Sequence, residues 1–353
     1  MDSMSVPTCS EEEENEFPVV VRFEDVFAIH DCPDGASLVE RKNVDFPILN
    51  MDMVEKKIDF KTPEKHPTVF THETDESLDA LMAFLTVQAI EDKMTFEELL
   101  GDIKFVCARR VLTYIGLIPH DDGRGEWRIS VQRFRGVFFL RFEHSKTEVT
   151  KLRMSNMILK QSLIDAIGSR PMFHTEDNVV KQSYGLFSAK VPSLTSPTTH
   201  NILYSATVDG ALSPDGAFYD CFTVDQHYNY RSRWIKYAIK ASLIGTDKVL
   251  AGQRNPFKPS EVTEVNVVDV NEHEKYTEDT SFSMTRCYKQ ISAFLTAVEE
   301  AYVAEFGDAN GILHIHRTPS NDTTTFTSEM IDERSDLVLV EEFLTHFLGI
   351  GVC

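Results

Sequence analysis

The chain has 353 residues, 42% of them hydrophobic and 26% charged, the proportions of a folded protein able to bury one large core or two ordinary ones. Its net charge of −21 excludes a protein that holds nucleic acid or anionic membrane by bulk attraction, so any polyanion must be met by a local basic cluster. Six scattered cysteines without a C-x-x-C pair point to reduced thiols in the nucleus or cytoplasm rather than a disulfide scaffold or a zinc site. No apolar run is long enough for a membrane span, and the polar, acidic start is no secretory leader.

Residues 1–17 carry the run Glu11 to Glu14 and are expected to be disordered, because like charges repel and few apolar groups offset the entropy of ordering. Residues 18–353 are expected to form a single domain. Val19 to Asn50 gives mixed signals, and Lys61 to Pro67 reads as an extended loop, since each proline disfavours helix before it. Leu78, Leu81, Met82 and Leu85 place a helix over Asp75–Gln88, and Thr95-Phe-Glu-Glu98 is a capping box opening a second. Ile103 to Cys107 starts a buried element. Asp121 to Gly125 is a turn, after which Trp127–Gln132 and Gly136–Phe142 read as paired antiparallel strands. Leu152–Ile167 has helical spacing, and Val191–His200, rich in Ser, Thr and Pro, is a loop. Strands are expected at 202–209, 217–224, 247–252 and 261–270, with a helix over Arg231–Leu243. A long helix spans Phe282–Phe306. Strands at 312–316 and 323–327 and a helix near Leu337–Leu348 end the chain. Strands and helices mix without strict βαβ alternation, which predicts a mixed α/β (α+β) fold: a central mixed sheet flanked by helices.

Several segments stand in an order that resembles the eukaryotic decapping exoribonuclease (DXO-type) family. They are Phe105-Val-Cys-Ala-Arg109, Gly125-Glu-Trp127, Arg133-Phe-Arg-Gly136, the strand–turn–strand around Ser213-Pro-Asp-Gly216, and Val249 to Pro256. The resemblance covers the chain from about Ile58 onward. It implies removal of incomplete or NAD-type caps from RNA 5′ ends by phosphodiester hydrolysis with Mg²⁺ or Mn²⁺, in the nucleus or cytoplasm. It implies an exoribonuclease as a protein partner and no membrane.

The family's Gly-x-x-x-Glu, Glu-x-Asp and Glu-x-Lys motifs supply the carboxylates that such metal chemistry needs. Here Ile158-Leu-Lys-Gln-Ser162 puts Ser162 at the first glutamate. Thr207-Val-Asp209 keeps only the aspartate, and Cys221-Phe-Thr223 keeps neither charged group. Asp225 is the next carboxylate along the face shared by Cys221 and Thr223. Lys240 stands at a family glutamine, where an ammonium offers static charge without activating water. One carboxylate is too few for two hard cations. Asp209 is therefore either a surviving ligand or a polar residue ending a strand. Arg109, at a substrate-contacting arginine, either binds a 5′ phosphate or pairs with an acidic residue of the chain. Two function classes follow: an RNA 5′-end hydrolase, or a non-catalytic relative that binds RNA or a protein. Outside this set, Tyr228, Tyr230 and Trp234 with Arg231 and Arg233 could stack bases or simply pack on the sheet. His314 and His316 share a strand face, as a metal pair or as partly buried residues.

Overall fold

The computed structural model describes residues 17–31, 37–42, 44, 46, 48–49, 51, 58–59, 78–120, 126–143, 159, 163, 180–211, 218–225, 231–255, 257, 261–272, 282–318, 323–331 and 337–348. The chain runs through β1 (Val20–Asp31), β2 (Ser37–Glu40), β3 (Ile58–Asp59), α1 (Leu78–Asp92), α2 (Phe96–Leu100), β4 (Phe105–Ala108) and α3 (Arg109–Leu117). Next come β5 (Trp127–Phe134), β6 (Val137–Glu143), β7 (Val180–Pro192), β8 (Thr199–Thr207), β9 (Gly210–Ala211), β10 (Phe218–Tyr219), β11 (Cys221–Asp225) and α4 (Arg231–Ser242). It closes with β12 (Lys248–Arg254), β13 (Glu261–Asp269), α5 (Met284–Phe306), β14 (Gly311–Thr318), β15 (Thr323–Met330) and α6 (Glu341–Leu348).

β4 is the short apolar centre of the larger sheet. Its four residues are all buried, and it runs parallel to both β6 and β8, as expected of a strand covered on both faces. Nine strands assemble around it in the order β15-β14-β5-β6-β4-β8-β7-β1-β2. Alternation along the strand sends Phe105 and Cys107 to one face, where α3, α4 and α5 pack, and Val106 to the other, under α1, α2 and α6. A second sheet, β11-β12-β13-β3, has β11 parallel to β12. Its Cys221 and Leu250 pack with Leu159 and Leu163, and its Phe222 and Val249 with Ala238 and Ala241 of α4. The expected mixed α+β fold with a central mixed sheet is the fold found. The shared sheet joins the 127–142 strands to β8.

Local signals that rest on a specific hydrogen bond are realised as read. The Thr95 capping box is complete, with Glu98 N donating to Thr95 Oγ1 (3.2 Å) and Thr95 N to Glu98 Oε2 (2.8 Å); these bonds hold the Glu98 carboxyl below its ordinary value. The β5–β6 hairpin turns on Arg135 and Gly136, both at positive φ (46° and 86°), the geometry that matches strand twist. Three expectations shift. The loop expected at 191–200 is found at 193–198, with β7 and β8 reaching two residues into it from either side. The 217–224 strand is broken at Asp220 into β10 and β11. Within Val19–Asn50 lies the twelve-residue β1, paired along its length with β7. The acidic N-terminus, the 61–67 loop, the Ser213–Gly216 turn and all of the 152–167 helix except the buried helical residues Leu159 and Leu163 lie outside the described residues.

The junction of α5 and β14 is close-packed. Tyr302 Oη donates to the Gly311 carbonyl (2.8 Å) and accepts from its N–H (3.1 Å), and a Cβ at Gly311 would collide with the Phe306 ring. Gly311→Ala is expected to cost roughly 1–3 kcal/mol of stability through this overpacking. Urea titration measures it, and an unchanged midpoint would show that the ring moves aside freely.

Candidate functional site

The inherited motifs converge where β8 leaves the large sheet and β11 opens the small one. Asp209 follows β8 by two residues. Its N–H donates to the Tyr219 carbonyl (3.1 Å), and its Oδ2 accepts from the Cys221 N–H at 2.7 Å. The residue is buried, so this carboxylate stitches β8 to β11. Asp209 lies just beyond the strand end, with its Oδ2 bonded into the backbone.

Arg109 is the first residue of α3, and its side chain has 0% exposure. A cation in a first turn opposes the helix dipole, and a buried guanidinium needs a carboxylate. Asp220, in the break between β10 and β11, supplies it: Nη1 donates to Oδ2 at 2.8 Å and Nη2 to Oδ1 at 3.3 Å. This two-pronged pairing is the strong geometry for arginine and carboxylate. Nη2 also donates to the Thr207 carbonyl (2.7 Å) and Nη1 to that of Lys240 (3.3 Å). One side chain thus ties β4–α3, the end of β8, the start of β11 and α4 together. Arg109 thus pairs with an acidic residue of the chain. Asp220, the partner, was not singled out by sequence. Its neighbour Cys221 took the motif position, and nothing in Phe218-Tyr-Asp-Cys221 announces a buried carboxylate.

Lys240 reaches the same carboxylate, with Nζ 3.9 Å from Asp220 Oδ2 and 19% of its side chain exposed. It is the one member of the network that touches solvent to a useful extent. Thr207 offers its carbonyl to Arg109, whereas Cys221 and Thr223 are fully buried. Cys221 sits in the apolar cluster with Leu159, Leu163 and Val262. Ser162 and the side chain of Asp225 lie outside the described residues.

Among the described residues, the donor set does not fit the Mg²⁺ or Mn²⁺ pair that the family resemblance implies. Asp220 already faces two cationic side chains, Asp209 is committed through Oδ2 to a backbone N–H, and a thiol in an apolar cluster is a poor ligand for a hard ion. Among the described residues no group of three or more His, Cys, Asp or Glu is placed to hold a metal ion. The histidines have other partners: His314 Nδ1 meets Ser130 Oγ (2.8 Å), and His316 Nε2 meets Glu126 Oε1 (2.9 Å). Trp234 packs edge-on against Phe222, ring centroids 5.1 Å apart, the packing alternative for that aromatic cluster. Tyr228 and Tyr230 and the side chains of Arg231 and Arg233 lie outside the described residues.

Behind the network the core is tightly buried. Tyr204 Oη donates to the Leu243 carbonyl at 2.6 Å, and burial pushes its phenol well above its ordinary 10.0. Burial likewise pushes Tyr288 up to about 12 and drives the Cys287 thiol far above 9.0. The unfolded chain ionises these groups at ordinary values and the native one does not. Their stabilisation is therefore whole below pH 9 and is lost as pH rises from there toward the folded values. Each group steepens the fall by about 1.4 kcal/mol per pH unit. Urea titrations from pH 8 to 11 should show this decline, flattened in its first unit by Cys287→Ala; a level profile would mean that these groups ionise in the native state.

Comparison with solved structures gives one consistent likeness. Scheffersomyces stipitis Rai1, solved with (3'-NADP)+ and calcium ion, superposes with a TM-score of 0.72 at 14% identity, over 99% of this chain and 100% of that one. Candida albicans Rai1, solved with pU5-Mn2+, gives 0.66 at 11% identity and 99% of each chain. K. lactis Dxo1 in complex with manganese gives 0.60 at 12% identity, over 95% of this chain and 97% of that one. At these identities the likeness is one of fold, and it is the fold that the ordered motifs led one to expect. No protein-family model and no curated protein sequence matches the chain.

Proposed function

We propose that this chain recognises RNA 5′ ends, inside the cell, on a decapping-nuclease fold, and that it does so without metal-dependent hydrolysis. The observation that carries the reading is the Arg109–Asp220–Lys240 network, together with Cys221 in an apolar cluster, at a place where hydrolysis would need a set of exposed carboxylates. The fold supports the ligand class, since the Candida albicans structure that shares it holds pU5. Phosphate recognition by basic groups needs no metal. Arg109 serves as the buried tie that shapes the site, and Lys240 is the residue of the pair able to meet an anion.

The test uses end-labelled NAD-capped, unmethylated-capped and 5′-monophosphate RNAs with Mg²⁺ or Mn²⁺. Retention of RNA on a filter, with cleavage no faster than in an Asp209→Ala control, is the expected result. Robust metal-dependent cleavage abolished by Asp209→Ala would overturn the non-hydrolytic reading. Absence of binding to all three RNAs would overturn the ligand class.

A further inference from the structure

Next to the buried network, α3 and α4 present a second group of cations, and these rest on aromatic faces. The Arg110 guanidinium lies 4.7 Å from the centroid of Phe142 and 5.6 Å from that of Tyr114. Lys236 Nζ lies 4.8 Å from the Tyr114 ring and 3.4 Å from its hydroxyl. One turn along α4, Lys240 Nζ stands 5.3 Å from the Tyr237 ring, itself stacked on Phe222 at 3.9 Å. All of these residues except Phe222 are partly exposed.

A ring orients a cation without neutralising it. Lys236 has no carboxylate partner among the described residues, although the chain carries 56 acidic side chains. The charge of the pair is felt at the phenol between them. Burial raises the Tyr114 pKa, yet Lys236 and Arg110 together pull it below its ordinary 10.0. A guanidinium, an ammonium and a hydroxyl gathered on one ring offer several donors. That suits a phosphate group, with its several acceptor oxygens, better than a carboxylate.

We propose that Arg110, Tyr114 and Lys236 form a subsite for one phosphate of a nucleotide chain, beside the Lys240 end of the network. This rests on the reading of the chain as an RNA 5′-end binder and adds the residues that would hold a phosphate. Lys240 and Lys236, on successive turns of one helix, set the direction in which the backbone leaves the site. The rings beneath the cations are the aromatic platform that single-strand recognition uses alongside charge.

The experiment measures binding of a 5′-monophosphate oligouridine and, separately, of inorganic pyrophosphate to the full chain, with Lys236→Ala and Lys236→Arg. Melting curves confirm that each variant is folded. RNA binding is followed by anisotropy over a series of salt concentrations, and pyrophosphate by near-ultraviolet tyrosine absorbance and calorimetry. Lys236→Ala is expected to weaken both ligands about tenfold or more, as loss of a charged hydrogen bond does. It should also make the RNA salt dependence shallower by about 0.7 in log–log slope. Lys236→Arg should restore most of each. If RNA binds wild type and Lys236→Ala alike, with equal salt slopes, the subsite is wrong and the 5′-end reading stands. If pyrophosphate binds and depends on Lys236 while RNA does not bind, the subsite stands and the RNA reading falls. If wild type binds neither, both fall.

Discussion

Asp220→Ala is expected to lower unfolding free energy by about 3–5 kcal/mol, the cost of leaving a buried charge without its partner. The partner in this case is Arg109, with a side chain at 0% exposure against 1% for Asp220. Lys240, 19% exposed and 3.9 Å from the carboxylate, can turn to water when Asp220 is gone; the Arg109 guanidinium cannot. The carbonyls of Thr207 and Lys240 still accept from it, but a neutral carbonyl does not replace the charge of the lost carboxylate. Removing both ions should therefore cost less than removing one. Arg109→Met combined with Asp220→Leu is expected to recover a large part of the loss, because apolar replacements need no desolvation of charge. Urea titrations of Arg109→Met, Asp220→Leu and the double variant give the coupling energy. A loss below about 1 kcal/mol for Asp220→Ala would fall in the range of exposed pairs and would mean that water reaches the pair. Since Arg109 joins four elements at the boundary between the sheets, the variant should also blunt RNA binding.

The fold was largely legible because its signals are local: hydrophobic spacing in α1 and α4, the Thr95 cap, and the paired strand patterns of β5 and β6. β1 and β7 escaped notice for a physical reason. They pair with each other across 149 (Asp31↔Val180) to 170 (Val20↔Lys190) positions, β1 carries charges at Arg22, Glu24 and Asp25, and a register shift between Phe23 and Asp25 breaks the alternation. Half of the candidate site was legible by kinship. The ordered motifs located Asp209, Cys221, Thr223, Arg109 and Lys240, and the structure brings Asp209, Arg109 and Lys240 to the strand break at Asp220–Cys221. Missing was the partner that decides what they do. Asp220 sits between two short strands, where a carboxylate reads as an ordinary turn residue; only tertiary structure shows that two cations converge on it. A motif comparison notes the loss of a glutamate, and it cannot see a carboxylate one residue away turned inward onto an arginine.

Divalent metal is expected to leave the protein's stability unchanged. A metal that binds the native state alone at one hundred times its Kd would add about 2.7 kcal/mol, an upward shift of several degrees in melting temperature. The described donors supply no such site: Asp220 is matched by Arg109 and Lys240, and Asp209 Oδ2 holds the Cys221 N–H. A cation entering there would meet a guanidinium and an ammonium and would have to displace them, with water given up on both sides. Melting curves with 10 mM EDTA, Mg²⁺ or Mn²⁺ should therefore coincide once ionic strength is matched, and calorimetric titration with Mn²⁺ should show no saturable heat. Asp209→Ala gives the decisive contrast. It should lower stability by roughly 1–3 kcal/mol, through the charged hydrogen bond to Cys221, and by the same amount in EDTA as in Mn²⁺. A Mn²⁺-dependent stabilisation that vanishes in Asp209→Ala would instead establish a metal site at this aspartate, completed by residues such as Asp225 or Ser162, and would overturn the non-hydrolytic reading.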